Sequence, residues 1–146
     1  DKLRTIKAAV EVGMEVCCGG IIGMGETLAQ RLELAQEARE AGAASIPVNI
    51  LQPIKGTPLE NQELIGEEEI VRTVALMKFV APDCTLRFAG GRSRLSAAAT
   101  ERILRGGMNG ALVGDMLTTI GNNIDQDYTM FERNGFELPD DYETGK

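Results

Sequence analysis

With 146 residues, 43% of them hydrophobic, the chain can bury one modest core, so the length reads as a single domain or a piece of a larger one. Fifteen Lys and Arg against 22 Asp and Glu give a net charge of −7 with no basic run, which argues against nucleic acid as a partner. There is no His, which excludes a Ser-His-Asp set or a His-ligated zinc within the chain, and no apolar stretch is long enough to cross a bilayer, so a soluble cytoplasmic protein with no membrane partner is expected.

The spacing of Leu3, Ile6, Ala9 and Val10 predicts an opening helix closed by Gly13. The apolar run from Met14 to Gly23 reads as a buried strand feeding a loop. Thr27 and Gln30 have the spacing of a capping box, and Leu28, Leu32, Ala35 and Ala38 then continue a helix to Gly42. A second strand is predicted over Ser45 to Leu51, weakened by Pro47, which lacks a ladder donor. A loop from Gln52 to Gly66 leads to a helix with Ile70, Val74 and Met77 on one face, stopped by Pro82. The third unit is a strand Cys84 to Phe88, a loop Ala89 to Arg92 and a helix Ala97 to Arg105 ended by Gly106 and Gly107. A fourth strand, Asn109 to Val113, precedes a last helix around Asp125 to Asn134.

Repeated strand-loop-helix units predict an α/β fold with a parallel sheet and outer helices. Four strands are half of a (β/α)8 barrel of the TIM type, whose full size is about 250 residues. A half-barrel leaves strand edges open, so a partner half or oligomerisation is expected. In such barrels chemistry collects at the C-terminal ends of the strands, where Cys17, Cys18, Asn49 and Arg87 are predicted to lie, with Cys17, Asn49 and Arg87 pointing into one shared cavity.

Each of these has a chemical and a plain structural reading. Three cysteines, two of them adjacent, do not pair evenly, so Cys17, Cys18 and Cys84 are reduced thiols or thiolate ligands. Cys17 and Cys18 suit an iron-sulfur cluster, or are two small buried residues. The loop Gly19 to Thr27 suits an anion at a helix start, or is a tight turn, and it has neither a Walker Lys nor a G-x-G-x-x-G pattern. Arg87, between Leu86 and Phe88, is a substrate-anion clamp, a cluster neighbour or half of a buried ion pair. Arg92 and Arg94 read as loop charges. Asn49 offers an amide to a polar ligand or to neighbouring backbone.

In order and spacing, Val16-Cys17-Cys18-Gly19-Gly20-Ile21-Ile22-Gly23-Met24-Gly25-Glu26-Thr27, Pro47 to Leu51, Lys55 to Leu59 and Leu86 to Arg92 together resemble the biotin synthase family of radical S-adenosylmethionine enzymes, in their C-terminal half. Leu117 to Thr119, Gly121-Asn122 and Phe131 to Phe136 extend the likeness, and Gly19-x-Ile21-x-Gly23-x-x-Glu26 is similar to a pattern widespread among radical S-adenosylmethionine enzymes. The resemblance implies a 4Fe-4S cluster held by a three-cysteine loop that this chain lacks, a 2Fe-2S cluster and S-adenosylmethionine. It implies Cys17 and Arg87 as ligands of the 2Fe-2S cluster, Ile21, Gly23 and Glu26 in the cofactor site with Ile21 on the adenine, and Asn49 on the ureido ring of dethiobiotin. The implied activity is radical sulfur insertion into dethiobiotin by a homodimeric enzyme reduced by a flavodoxin or ferredoxin. The chain alone is expected to be inactive. Other radical enzymes with a similar region, of the hydrogenase maturase or methylornithine synthase type, and a non-catalytic half-barrel binding module are the alternatives.

Overall fold

The computed structural model describes residues 1–114 and 124–137 and divides into two compact units, Asp1–Leu112 and Val113–Lys146. Ten elements follow in chain order: α1 (Lys2–Glu11), β1 (Gly20–Ile22), α2 (Leu28–Glu40), β2 (Ser45–Ile50), α3 (Glu67–Val80), β3 (Thr85–Phe88), a short 3-10 turn (Arg92–Arg94), α4 (Ala97–Arg105), β4 (Met108–Ala111) and α5 (Ile124–Arg133). The four strands form one all-parallel sheet in the order β1-β2-β3-β4, so each strand pairs with its successor across a helix.

Strands pair in register Gly20 with Val48, Ile22 with Ile50 and Val48 with Phe88, and paired residues of a parallel ladder point to the same side. One face therefore carries Ile22, Ile46, Val48, Ile50, Leu86 and Phe88, all buried. From the helices, Ala35, Ala38, Ile70, Val74, Met77, Ile103 and Leu104 complete this core, and α3 packs against both α2 and α4. The opposite face holds Ile21, Ser45, Pro47, Asn49, Thr85 and Arg87, and is the more open one: Ile21 is 45% exposed and Pro47, Asn49, Thr85 and Arg87 are half-buried, while Ser45 is buried.

Helix ends follow local chemistry. Thr27 accepts from Gln30 N–H while the Gln30 side chain accepts from Thr27 N–H, the reciprocal box its spacing predicts. Ser96 caps α4, Gly66 opens α3 and Gly106 closes α4. In the second unit Phe131 and Phe136 meet edge to face at 5.5 Å. The resemblance at Leu117 to Thr119 and Gly121-Asn122 lies outside the described residues.

The first strand is shorter than predicted. Instead of Met14 to Gly23, regular pairing covers only Gly20–Ile22, preceded by a single bridge of Cys17 to Ser45. The cause lies in the partner strand: Ser45 N–H reaches Val16 O and Leu51 N–H reaches Ile22 O, so the odd residues of β2 point their amides at β1. Pro47 has none to give, and the rung opposite Cys18 is missing. Its ring instead sits over Gly19, where a Cβ would lie 2.0 Å from Pro47 O. Cys17 therefore precedes β1 rather than ending it.

Gly91 turns the chain after β3 with φ +82, and a Cβ there would sit 2.1 Å from Ile50 O. Gly56 has φ +84 but no atom within 4 Å of a built Cβ. Gly56→Ala should then lose about 1 kcal/mol from the left-handed backbone alone, and Gly91→Ala about 2–4 kcal/mol because overpacking adds to it. Urea unfolding midpoints of the two variants read the difference, and equal losses would contradict the contact.

Candidate functional site

Alternation along β2 sets the site in rows on the open face. Cys17 pairs with Ser45, which pairs with Thr85; two residues on, Pro47 pairs with Arg87 and Arg87 with Gly110; two more on, Asn49 pairs with Ile21. Cys17, Arg87 and Asn49 thus share a face at three heights. Rows lie roughly 7 Å apart, so Cys17 and Asn49 differ in level by roughly 13 Å. Asn49 and Arg87 sit near the C-terminal ends of β2 and β3, whereas Cys17 lies at the level where β2 begins.

Cys17 is exposed, and its thiol donates to Ser45 Oγ at 3.6 Å. Cys18 is half-buried. Cys84 is buried, donates to Ala43 O at 3.2 Å, and burial pushes its thiol above the ordinary value, the mark of an inert structural residue.

Arg87 finds no ion-pair partner among the described residues, and its buried Nε has no hydrogen-bond acceptor. An ion pair with Asp or Glu is therefore not the explanation of this charge. Gly110 makes its room: a Cβ there would come within 2.9 Å of Arg87 Cγ, and the strand pairing shifts register between Leu86 and Arg87 to admit it. The residue as a whole is half-buried, and a buried N–H without an acceptor is costly unless something anionic meets it. Such an atom fits a cluster of sulfide and thiolate charge. One thiolate and one guanidinium are an incomplete ligand set, however, and no group of three Cys, Asp or Glu able to hold a metal exists among the described residues.

Asn49 uses both ends of its amide on backbone: Nδ2 donates to Gly20 O at 3.2 Å, and Oδ1 accepts from Gly90 N–H at 2.9 Å. It ties β1 to the loop after β3 and retains one N–H and one lone pair. Ile21 projects an apolar surface beside it.

Glu26 holds its own loop. Its carboxylate accepts from Gly23 N–H and Met24 N–H, each at 2.6 Å, and from Arg31 Nε. Burial alone would raise this carboxyl, but the Gly23 amide and the Arg31 guanidinium outweigh it and hold it below its ordinary value. Arg31, which sequence reasoning passed over, is only 3% exposed and reaches on to Glu69 at 2.6 Å and Thr73 Oγ1 at 3.2 Å. With Ala35 and Ala38 it forms the buried stripe of α2, while the predicted Leu28 and Leu32 are half-buried.

Arg92 and Arg94 are not loop charges. Arg92 is buried over the Phe88 ring at 5.6 Å, and Arg94 donates to Leu51 O and Ile65 O, pinning the loop after β2.

The family model described as Biotin and Thiamin Synthesis associated domain matches residues 47–137. The chain belongs to this family. That matched region holds Asn49 and Arg87 and leaves Cys17 and the Glu26 loop upstream of it. Beyond the family's own span, the chain is 51% identical over 138 residues to a biotin synthase of Clostridium botulinum, covering 94% of the chain and 43% of that relative. A biotin synthase of Porphyromonas gingivalis is 48% identical over 141 residues, 97% of the chain and 43% of the relative, and one of Parabacteroides distasonis is 46% identical over 138 residues. The chain spans less than half the length of these relatives. No described helix is long and apolar enough to cross a membrane.

A carboxylate held below its ordinary value stabilises the fold above about pH 4.5 and loses that contribution as pH falls through its folded value. The stability advantage of wild type over Glu26→Gln should therefore be largest near neutrality and shrink on acidification below about pH 4.5. Urea midpoints of both proteins from pH 7 to 3 measure it; a gap that widens on acidification would contradict the assignment.

Proposed function

We propose that this chain supplies the sulfur-insertion side of a radical S-adenosylmethionine enzyme that forms biotin from dethiobiotin, with its open sheet face turned to the interior of a completed barrel. The observation that carries the reading is the buried Arg87 Nε without an acceptor, on the same face as an exposed Cys17 thiol. The relatives named biotin synthase, at about half identity across nearly the whole chain, support it.

When bound, the iron-sulfur clusters and S-adenosylmethionine supply one-electron chemistry and the sulfur atom. The chain's own residues hold and orient. Cys17, as a thiolate, is one ligand of the 2Fe-2S cluster, with Ser45 Oγ close enough to donate to its sulfur and temper its charge. Arg87 would serve the cluster as a cation and a hydrogen-bond donor. The remaining ligands come from outside the described residues, as do those of the 4Fe-4S cluster. Asn49 offers its spare N–H and lone pair to the ureido ring of dethiobiotin. Ile21 and the Gly23 turn present an apolar seat to the adenine. The rows put the Cys17 thiol low in the sheet and the Asn49 amide above it, so that cluster and substrate would be held at different levels of one face. A flavodoxin or ferredoxin would deliver the electrons.

In the full-length protein carrying this chain, Cys17→Ala should lose the 2Fe-2S cluster and Cys18→Ala should retain it. Arg87→Ala should alter the cluster's absorption without removing it. Iron and sulfide analysis after anaerobic reconstitution decides; full cluster content in Cys17→Ala together with loss in Cys18→Ala would sink the assignment.

A further inference from the structure

Arg31 has no place in the chemistry above, yet it is the most buried charge of α2 and every one of its bonds runs to the loop after β1 or to α3. Replacing a buried ion pair by apolar side chains is often neutral for stability. What the charged version adds is fixed geometry, and the geometry fixed here is specific. Arg31 Nε binds the Glu26 carboxylate, and NH2 binds Glu26 O at 3.3 Å. That carboxylate holds the amides of Gly23 and Met24, the two residues that follow Ile21-Ile22. Without the clamp the segment has little to define it, since Gly23 and Gly25 both take left-handed backbone, at φ +93 and +105. Ile22 anchors it on the covered side at 1% exposure, and Ile21 faces out on the open side.

We propose that Arg31 is a positioning residue: acting through Glu26, it fixes the Gly23–Gly25 turn at the end of β1 so that Ile21 and Gly23 meet the adenosine group at a set distance, and through Glu69 and Thr73 it couples that turn to α3. The inference rests on the reading of this loop as the adenosine seat. Glu26 then serves the ligand from behind the loop and does not touch it. Its oxygens are already taken by two amides and a guanidinium. Lysine at position 31 would keep a charge near Glu26 but lacks the fork that reaches Glu69 and Thr73 together.

The test uses the full-length protein and S-adenosylhomocysteine, which carries the adenosine group. Titration calorimetry reads its affinity, and circular dichroism reads thermal unfolding. Arg31→Met and Glu26→Gln should each weaken binding roughly tenfold, Arg31→Lys should fall between Met and wild type, and the double variant should bind no more weakly than the weaker single one. Additive losses would show that Arg31 does not act through Glu26, and a lowered melting temperature with affinity unchanged would reduce it to a structural ion pair; either overturns the proposal. If Arg31→Met does not fold, Glu26→Gln and Arg31→Lys decide by the same criterion. No binding by wild type would overturn the adenosine reading itself and this inference with it, whereas equal binding by wild type and folded variants overturns the role of Arg31 alone.

Discussion

A parallel ladder sends paired residues to the same side, and the rest of the structure follows from that constraint. Once Ile22, Ile50 and Val48 are committed to the helices, Ile21, Asn49 and Arg87 have nowhere to go but the other face. A one-residue slip of β2 against β1 would drive Asn49 into the core and bring Ile50 out. Core and site therefore specify each other: the apolar residues that pin the register also decide which polar groups gather opposite them, and at what height.

Two arginines of the first unit stand in contrast. On the covered side Arg31 is answered by Glu26, Glu69 and Thr73. On the open side Arg87 is left unanswered at Nε, in a space that Gly110 and a local register shift keep clear. Burying an N–H without an acceptor is unfavourable in isolation.

Local signals made most of the elements legible in the sequence. The Thr27–Gln30 box, the Gly66 and Pro82 limits of α3 and the Gly106-Gly107 stop of α4 act over a few residues and stand where their spacing puts them. Signals that live in a partner were not readable. The shortening of β1 is caused by Pro47, nearly thirty positions away, and nothing in Met14 to Gly19 betrays it. Arg92 and Arg94 stand in a Gly-bounded loop, which suggests solvent; their burial depends on Phe88, Leu51 and Ile65. Arg31 looks like an ordinary helix surface charge until Glu69 and Thr73 arrive from α3. For Arg87 the sequence left an ion pair open, and only the surrounding strands show that no carboxylate among the described residues reaches it. Asn49 is plainly polar in an apolar strand, but its double tie to Gly20 and Gly90 needs three strands in place.

The rung that Pro47 omits also bears on dynamics. Sheet segments open locally at a free energy set by the bonds they must break, and residues 17–19 are held at one level, by Cys18 N–H to Ser45 O and the Cys17 thiol to Ser45 Oγ, and beyond it by the press of a proline ring on Gly19. The exposed thiol of Cys17 is thus carried by a stretch that can breathe while Gly20–Ile22 and the rest of the ladder stay shut, a hinge made by deleting a single amide hydrogen.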